Sequence, residues 1–170
     1  MDASIPPRRS AVLLLLFPER NEDYIVFTRR TEQVATHKGQ ISLPGGSEEP
    51  FDGSLLQTAL RETEEELGIP PDQVTVVGEL EAVPTVVSNF IIKPFVARLG
   101  ARPIYHPDPI EVAEVIEVPV SALRSPEIHW LEERPTPYGS RAVHFFKYGQ
   151  YVIWGATARI LTHFLATTEK

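Results

Sequence analysis

The sequence has 170 residues, of which 42% are hydrophobic and 23% are charged, and this length suits one domain with a core of its own. The absence of cysteine excludes disulfide frameworks, thiolate metal sites and cysteine nucleophiles. The formal net charge of -7 at pH 7 argues against nucleic-acid binding, because contacts to phosphates need a basic face. We therefore expect one domain over residues 1–170 and no nucleic-acid partner.

An apolar run at residues 11–17 follows Arg8 and Arg9 and superficially resembles a signal peptide. The run is far shorter than the about 18 residues that span a bilayer. It also lacks a small-residue cleavage site, and the polar residues 18–20 follow at once. We predict a buried strand here, a cytoplasmic protein and no membrane partner.

Apolar runs separated by turn residues predict a sheet. The runs at residues 11–17 and 24–28 flank a polar turn and predict an antiparallel pair. The runs at residues 142–148 and 151–154 flank Gly149–Gln150 and predict a hairpin. Pro94 indicates that its strand is an edge strand or contains a bulge. The predicted strands are residues 11–17, 24–28, 74–80, 91–99, 115–118, 142–148 and 151–154.

Two helices are predicted between these strands. The first covers about residues 54–67, where Ser54 and Gln57 form a capping box and Gly68 gives the stop signal. The second covers about residues 156–166. Strands interspersed with two long helices predict an α/β or α+β domain with a mixed sheet. The second helix is apolar along one stripe, made of Ile160, Leu161, Phe164 and Leu165.

The first predicted helix carries three acidic residues beside its apolar stripe. At about 100° per residue, Glu62, Glu65 and Glu66 fall within a ~100° arc. Acidic runs are often only solvated surface, but these lie at the negative end of the helix dipole, which costs ~0.3–1 kcal/mol each. Arg61 projects in another direction and cannot neutralise all three. We therefore expect a divalent cation, and oxygen ligands with substrate phosphates suit Mg²⁺ or Mn²⁺.

The turn Pro44–Gly45–Gly46 precedes this helix. Glycine has no side chain to block a close approach of the backbone to the acidic patch, so a carbonyl here is a candidate oxygen ligand. Pro-Gly-Gly alone more often marks an ordinary turn, and it is the spacing of this turn to the helix that makes it a candidate.

Residues 46–69 resemble the Nudix box. The matching positions are Gly46, the loop acid Asp52 and the run Arg-Glu-Thr-Glu-Glu-Glu-Leu-Gly-Ile at residues 61–69. Asp52 stands where the family usually has glutamate, one residue further from the arginine, and Thr63 stands where it usually has an aliphatic residue. The resemblance implies an α/β (α+β) Nudix fold, with a mixed β-sheet sandwiched between helices, and hydrolysis of phosphoanhydride bonds.

The segment of residues 28–46 is similar to the additional motif of the coenzyme A diphosphatase branch of Nudix hydrolases. Ala35 stands where that branch usually has arginine, and Leu43 where it usually has phenylalanine. The resemblance implies a pyrophosphatase that cleaves coenzyme A to 4′-phosphopantetheine and 3′,5′-ADP. Further similar stretches are residues 88–96, 107–119 and 154–158.

The resemblance also implies roles for individual residues. Glu62 and Glu66 correspond to the principal metal ligands, and Glu65 to a shared ligand or to the base that deprotonates water. A main-chain oxygen of Gly46 completes the metal shell, and Arg61 orients the glutamates through charge-assisted hydrogen bonds.

Outside the box, Glu114 is the best match for a further distal ligand or base, and Glu111 is the fallback. A solvated carboxylate at a strand end fits either position equally well. A dense basic stretch before the box offers phosphate-binding groups, of which arginine is the best suited, although alternate residues of a strand end face solvent. The predicted substrate-binding residues are Arg29, Arg30, His37, Lys38 and Gln40.

Two alternatives stay open. The first is a Nudix pyrophosphatase of ADP-ribose, a dinucleotide or a nucleoside triphosphate, which the departure at Ala35 favours. The second is a non-catalytic Nudix-fold ligand-binding module, although such a module would be expected to have lost box glutamates. In either enzymatic case the partner is a small-molecule nucleotide diphosphate, and the protein is a monomer or a homodimer.

Overall fold

The computed structural model describes residues 5–168, in which eleven strands and three helices follow one another. The helices are α1 (Leu55–Leu67), α2 (Val120–Leu123) and α3 (Gly155–Thr167). The strands are β1 (Arg8–Glu19), β2 (Glu22–Arg30), β3 (Ile41–Ser42), β4 (Gly45–Ser47), β5 (Thr75–Glu79), β6 (Val83–Pro84), β7 (Phe90–Arg98), β8 (Val112–Pro119), β9 (His129–Thr136), β10 (Gly139–Tyr148) and β11 (Tyr151–Trp154).

Strands β1 to β8 form a mixed sheet whose main order is β3-β2-β1-β7-β5. β4 pairs with β1, β6 with β7 and β8 with β2. The central pair of β1 and β7 is parallel, and the other pairs are antiparallel. β9 to β11 form a separate antiparallel sheet in the order β11-β10-β9. The mixed sheet predicted from the sequence is confirmed.

The mixed sheet lies between helices because β1 is buried on both faces. Leu13 and Leu15 pack in a core with residues of α1, and Leu14 and Leu16 pack in a second core with residues of α3. Side chains alternate between the two faces of a strand, so one continuous apolar run supplies both cores. Burying each such leucine stabilises the fold by about 1.5–3 kcal/mol. The predicted arrangement of a sheet between helices is therefore confirmed.

Helix α1 begins and ends where the sequence signals place it. The backbone N–H of Gln57 donates to the Ser54 hydroxyl at 3.2 Å, and Gly68 ends the helix with a left-handed φ of 69°. Thr63, which replaces an aliphatic residue, is fully buried. Its hydroxyl donates to the Ala59 carbonyl at 2.7 Å, so the polar atom is satisfied inside the core.

Both predicted hairpins are confirmed. In the first, Glu19 pairs with Glu22 across Arg20 and Asn21, which both have positive φ. Of the two alternatives for Pro94, the edge strand is wrong, because β7 pairs with β1 on one side and with β5 and β6 on the other. The register shift in the ladder of β5 and β7 lies between Val76 and Gly78 of β5. Pro94 lies where the neighbour of β7 changes from β5 to β6.

None of the helices in residues 5–168 has the length and apolar character needed to cross a bilayer.

Candidate metal centre

Three carboxylates converge at one end of α1. Oxygens of Glu62, Glu66 and Glu111 all lie within 4.8 Å of one another. Glu62 and Glu66 are one turn apart on α1, and Glu111 comes from the loop before β8. Two unit charges of like sign at this separation repel by about 3–4 kcal/mol near a protein surface. The cluster therefore needs protons or a cation to be stable.

Glu66 is the most buried member of this cluster, with 4% of its surface exposed. Burial first, and then the nearby charges of Glu62 and Glu111, raise the pKa of Glu66 to about 8, against the opposing charge of Arg30. Its Oε2 is buried and has no hydrogen-bond partner within residues 5–168. A buried carboxylate oxygen without a partner is an atom that a bound cation would satisfy, and an all-oxygen donor set fits a hard divalent cation.

The two glycines of the turn before α1 allow this cluster to form. A Cβ at Gly46 would lie 2.5 Å from the carboxyl carbon of Glu62. Gly45 has φ of 154°, and a Cβ there would lie 2.2 Å from the Ala11 carbonyl oxygen. The backbone of Gly45 is also close enough to Glu66 to oppose, in part, the rise in the pKa of that carboxyl. Any side chain at either position would displace the backbone or the acids, so the turn brings main-chain atoms against the cluster.

Arg61 links the cluster to the loop acid. Its Nε and Nη2 donate to the Asp52 carboxylate at 2.9 and 3.0 Å, and its Nη1 donates to Glu62 at 3.0 Å. Asp52 is only 3% exposed in its side chain and also accepts hydrogen bonds from Thr58 and from the Glu49 N–H. Asp52 therefore positions Arg61, because the bidentate contact fixes the direction in which Arg61 approaches Glu62. The sequence did not reveal this role.

We expect Asp52→Asn to lower the free energy of unfolding by about 2–3 kcal/mol at pH 7, because it removes the charge that a largely buried guanidinium needs. The hydrogen bond from Arg61 is the main cause that holds the pKa of Asp52 well below its usual range. A depressed carboxyl pKa stabilises the fold above the pKa of the unfolded chain, and this stabilisation is lost as the pH falls. The difference between wild type and variant should therefore shrink below about pH 4.

Urea unfolding at pH 7 and pH 3 measures this difference. Asp72→Asn is the matched control, because Asp72 is exposed in the short turn after α1. A loss of stability in Asp52→Asn that is the same at both pH values would contradict the ion-pair explanation.

Glu65 lies apart from the cluster. Its side chain is 56% exposed, and its carboxylate contacts Arg61 Nη1 at 3.2 Å. Glu64 is exposed as well. Of the three acids that the helical arc groups together, the structure therefore brings Glu62 and Glu66 close and leaves Glu65 at the rim.

Glu114 also lies apart from the cluster, on the opposite face of the sheet. Along β8 it alternates in phase with Ile116 and Val118, which belong to the core beside α3. Its carboxylate accepts hydrogen bonds from the Tyr151 hydroxyl and from Arg29 Nε. These two contacts, that of Tyr151 first, hold the pKa of Glu114 below its usual value. The geometry therefore favours Glu111 over Glu114 as the third acid of the centre, and nothing in the sequence had drawn attention to Tyr151.

The predicted substrate-binding residues divide between the two faces of β2. Arg29 faces Glu114 at 3.1 Å, whereas Arg30 is close enough to Glu66 for its charge to lower the pKa of that carboxyl. Gln40 lies beside Arg30, whose N–H donates to the Gln40 carbonyl at 2.9 Å. His37 Nδ1 is 3.0 Å from Gln40 Oε1, and Lys38 is exposed. The loop of residues 31–40 thus returns to the end of β2, beside Arg30.

The chain is similar in sequence to a known family and to proteins of bacteria and plants. The family described as NUDIX domain matches residues 7–138. The chain is 38% identical over 154 residues to an uncharacterized Nudix hydrolase NudL of Photorhabdus laumondii, covering 90% of this chain and 81% of the relative. It is also 38% identical to Nudix hydrolase 22, chloroplastic, of Arabidopsis thaliana, covering 91% of this chain and 53%, about half, of that relative.

A solved structure shares the fold. A MutT/nudix family protein from Enterococcus faecalis aligns with a TM-score of 0.65 at 15% identity. The alignment covers 100% of this chain and 65% of that one.

Proposed function

The chain belongs to the Nudix family, and on this premise we propose that it hydrolyses a phosphoanhydride bond with Mg²⁺ or Mn²⁺ held by Glu62, Glu66 and Glu111. The observation that carries the proposal is the buried, unpartnered Oε2 of Glu66 beside two further carboxylates. A bound divalent cation would neutralise phosphate charge and lower the pKa of a water molecule. In this proposal a main-chain oxygen of Gly46, a residue at which even a Cβ would meet the Glu62 carboxyl group, completes the donor set.

The remaining acid of the box has a different role in the proposal. Glu65 is open to solvent and is held at one oxygen by Arg61, so it is free to accept a proton from the attacking water. A carboxylate positioned by a charge-assisted hydrogen bond is suited to such general-base work. Arg61 in turn keeps Glu62 and Glu65 in fixed directions. In this scheme Glu114 takes no part in the chemistry.

Coenzyme A is the substrate that the proposal favours. Its support is the similarity of residues 28–46 to the motif of the coenzyme A diphosphatase branch, together with the position of Arg30 near Glu66. Arginine binds phosphate in a bidentate manner, so Arg30 is placed to hold the diphosphate. His37, Lys38 and Gln40 supply further donors, whereas Arg29 is bonded to Glu114 on the other face of the sheet and has no part in this proposal. The products are 4′-phosphopantetheine and 3′,5′-ADP.

A second candidate is a pyrophosphatase of ADP-ribose, a dinucleotide or a nucleoside triphosphate. The observation that favours it is Ala35, an exposed position without the arginine usual in the coenzyme A branch. A non-catalytic ligand-binding module is disfavoured, because the acids of the box are present and two of them, Glu62 and Glu66, converge with Glu111.

The substrate is tested by measuring turnover of coenzyme A, 3′-dephospho-coenzyme A and ADP-ribose with Mg²⁺, in ¹⁸O-water, with products identified by mass spectrometry. We expect coenzyme A to be cleaved fastest and one ¹⁸O atom to enter one of its two products. Faster cleavage of ADP-ribose would overturn the choice of substrate. No cleavage of any of the three with Mg²⁺ or Mn²⁺ would overturn coenzyme A and ADP-ribose as substrates, and no cleavage of a dinucleotide or a nucleoside triphosphate in the same assay would overturn this class of hydrolase.

A further inference from the structure

The loop that carries Glu111 is attached to the same turn of α1 that carries Glu66. The His106 N–H donates to the Leu67 carbonyl at 2.8 Å, and the Asp108 N–H donates to the Glu66 carbonyl at 3.0 Å. These carbonyls belong to the last turn of a helix, where no further helical N–H reaches them. The loop therefore completes the hydrogen bonds of the helix end and is fixed to it.

Gly68 makes this attachment possible. A Cβ at Gly68 would lie 2.7 Å from the Cβ of His106 and 3.1 Å from its carbonyl oxygen. Its φ of 69° also places it in the left-handed region that favours glycine. The glycine that ends α1 is thus also the point at which the loop crosses the helix.

Asp108 then closes a turn around the third acid. Its carbonyl accepts hydrogen bonds from the N–H groups of Glu111 at 3.2 Å and Val112 at 2.8 Å. Its carboxylate Oδ1 accepts the Ile110 N–H at 2.8 Å. Side chain and main chain of one residue therefore fix three successive amides that include the amide of Glu111.

Thr31 fixes the other side of the same segment. Its hydroxyl donates to the Ile110 carbonyl, and its N–H donates to the Glu111 carbonyl at 3.1 Å. Thr31 follows β2 directly and is 8% exposed, so these bonds attach the segment to a buried position beside the sheet. The backbone of Glu111 is consequently bonded on both sides.

We infer that Asp108 and Thr31 are positioning residues that hold the Glu111 carboxylate against Glu62 and Glu66. Without their side-chain hydrogen bonds the segment around Glu111 would be less ordered, and cation binding would have to order it at a cost in conformational entropy. The inference rests on the proposed function, because it takes the three glutamates as the ligands. Partners that orient a metal ligand typically affect affinity by 10–100-fold.

The test is a Mn²⁺ titration of the full chain, in which free Mn²⁺ is measured by electron paramagnetic resonance without any substrate. Asp108→Ala should weaken Mn²⁺ binding by about tenfold. Asp108→Asn should stay within about threefold of wild type, because its amide oxygen still accepts the Ile110 N–H. Asp72→Ala is the control for loss of one exposed carboxylate.

A second pair of variants keeps the test decisive if Asp108→Ala does not fold. Thr31→Val removes the hydroxyl and should weaken Mn²⁺ binding by about tenfold, whereas Thr31→Ser keeps it and should bind within about threefold of wild type. Wild-type affinity in Asp108→Ala, or equal weakening in Asp108→Ala and Asp108→Asn, would overturn the role of Asp108. Equal affinities in the two Thr31 variants would overturn that of Thr31.

Glu111→Gln separates this inference from the proposed function. If wild type binds Mn²⁺ and Glu111→Gln weakens it while the Asp108 and Thr31 variants do not, only the positioning inference fails. If wild type itself does not bind Mn²⁺, the proposed function fails.

Discussion

Glu66→Gln is expected to reduce Mg²⁺-dependent turnover at least about a hundredfold, the usual scale for the loss of one key electrostatic element. Glu66 provides the buried oxygen without a partner, and a neutral amide at that position cannot balance a divalent charge. Glu62→Gln should cause a loss of the same size, because Glu62 lies in the same cluster. Steady-state rates over a range of Mg²⁺ concentrations measure both effects.

Glu64→Gln is the matched control for these two variants. Glu64 is on the same helix but is exposed and lies outside the cluster, so its replacement should leave the rate within about twofold of wild type, as is usual for surface substitutions. Rates like those of wild type in both Glu66→Gln and Glu62→Gln would refute the assignment of the centre.

Glu111→Gln and Glu114→Gln should behave differently although the two acids are three residues apart. Glu111→Gln should lower kcat by about a hundredfold, because its carboxylate lies within 4.8 Å of those of Glu62 and Glu66. Glu114→Gln should leave kcat within about threefold, because its carboxylate is bonded to Tyr151 and Arg29 on the other face of the sheet. The measurement is kcat and the Mg²⁺ dependence of both variants at saturating substrate.

The reverse order of effects would contradict the geometry. A large loss of kcat in Glu114→Gln with little change in Glu111→Gln would restore Glu114 as the distal ligand or base. A fall in the melting temperature of Glu114→Gln, with kcat retained, would agree with a structural role for the hydrogen bond between Glu114 of β8 and Tyr151 of β11.

The parts of the fold that the sequence predicted depend on local signals. α1 was predicted within a residue because Ser54 caps its start and Gly68 its end, and neither signal depends on distant contacts. The hairpin of β10 and β11 was predicted for the same reason. β9 was missed because residues 129–136 contain Glu132, Glu133, Arg134 and Pro135 with little apolar alternation, and the strand forms by pairing with β10.

The site was predictable in part, to the extent that helical geometry alone determines it. The one-turn spacing of Glu62 and Glu66 puts them side by side on any helix. That Glu65 stays outside the cluster could not be predicted in this way. The helical arc that Glu65 shares with Glu62 and Glu66 does not reveal on which side of it the loop of Glu111 packs. The choice between Glu111 and Glu114 depends on hydrogen bonds between that loop and the end of α1, contacts that are distant in sequence. Asp52 is recognisable in the sequence only as the loop acid of the box, because its role depends on a bidentate contact with Arg61 that forms once the loop packs against α1.

Anomalous diffraction from a crystal soaked in Mn²⁺ tests the central claim most directly. The account predicts a manganese peak within about 2.5 Å of carboxylate oxygens of Glu62, Glu66 and Glu111, the upper end of usual distances for hard divalent cations. A peak that lies instead between Glu65 and solvent or beside Glu114, or no peak near Glu66 at all, would contradict it.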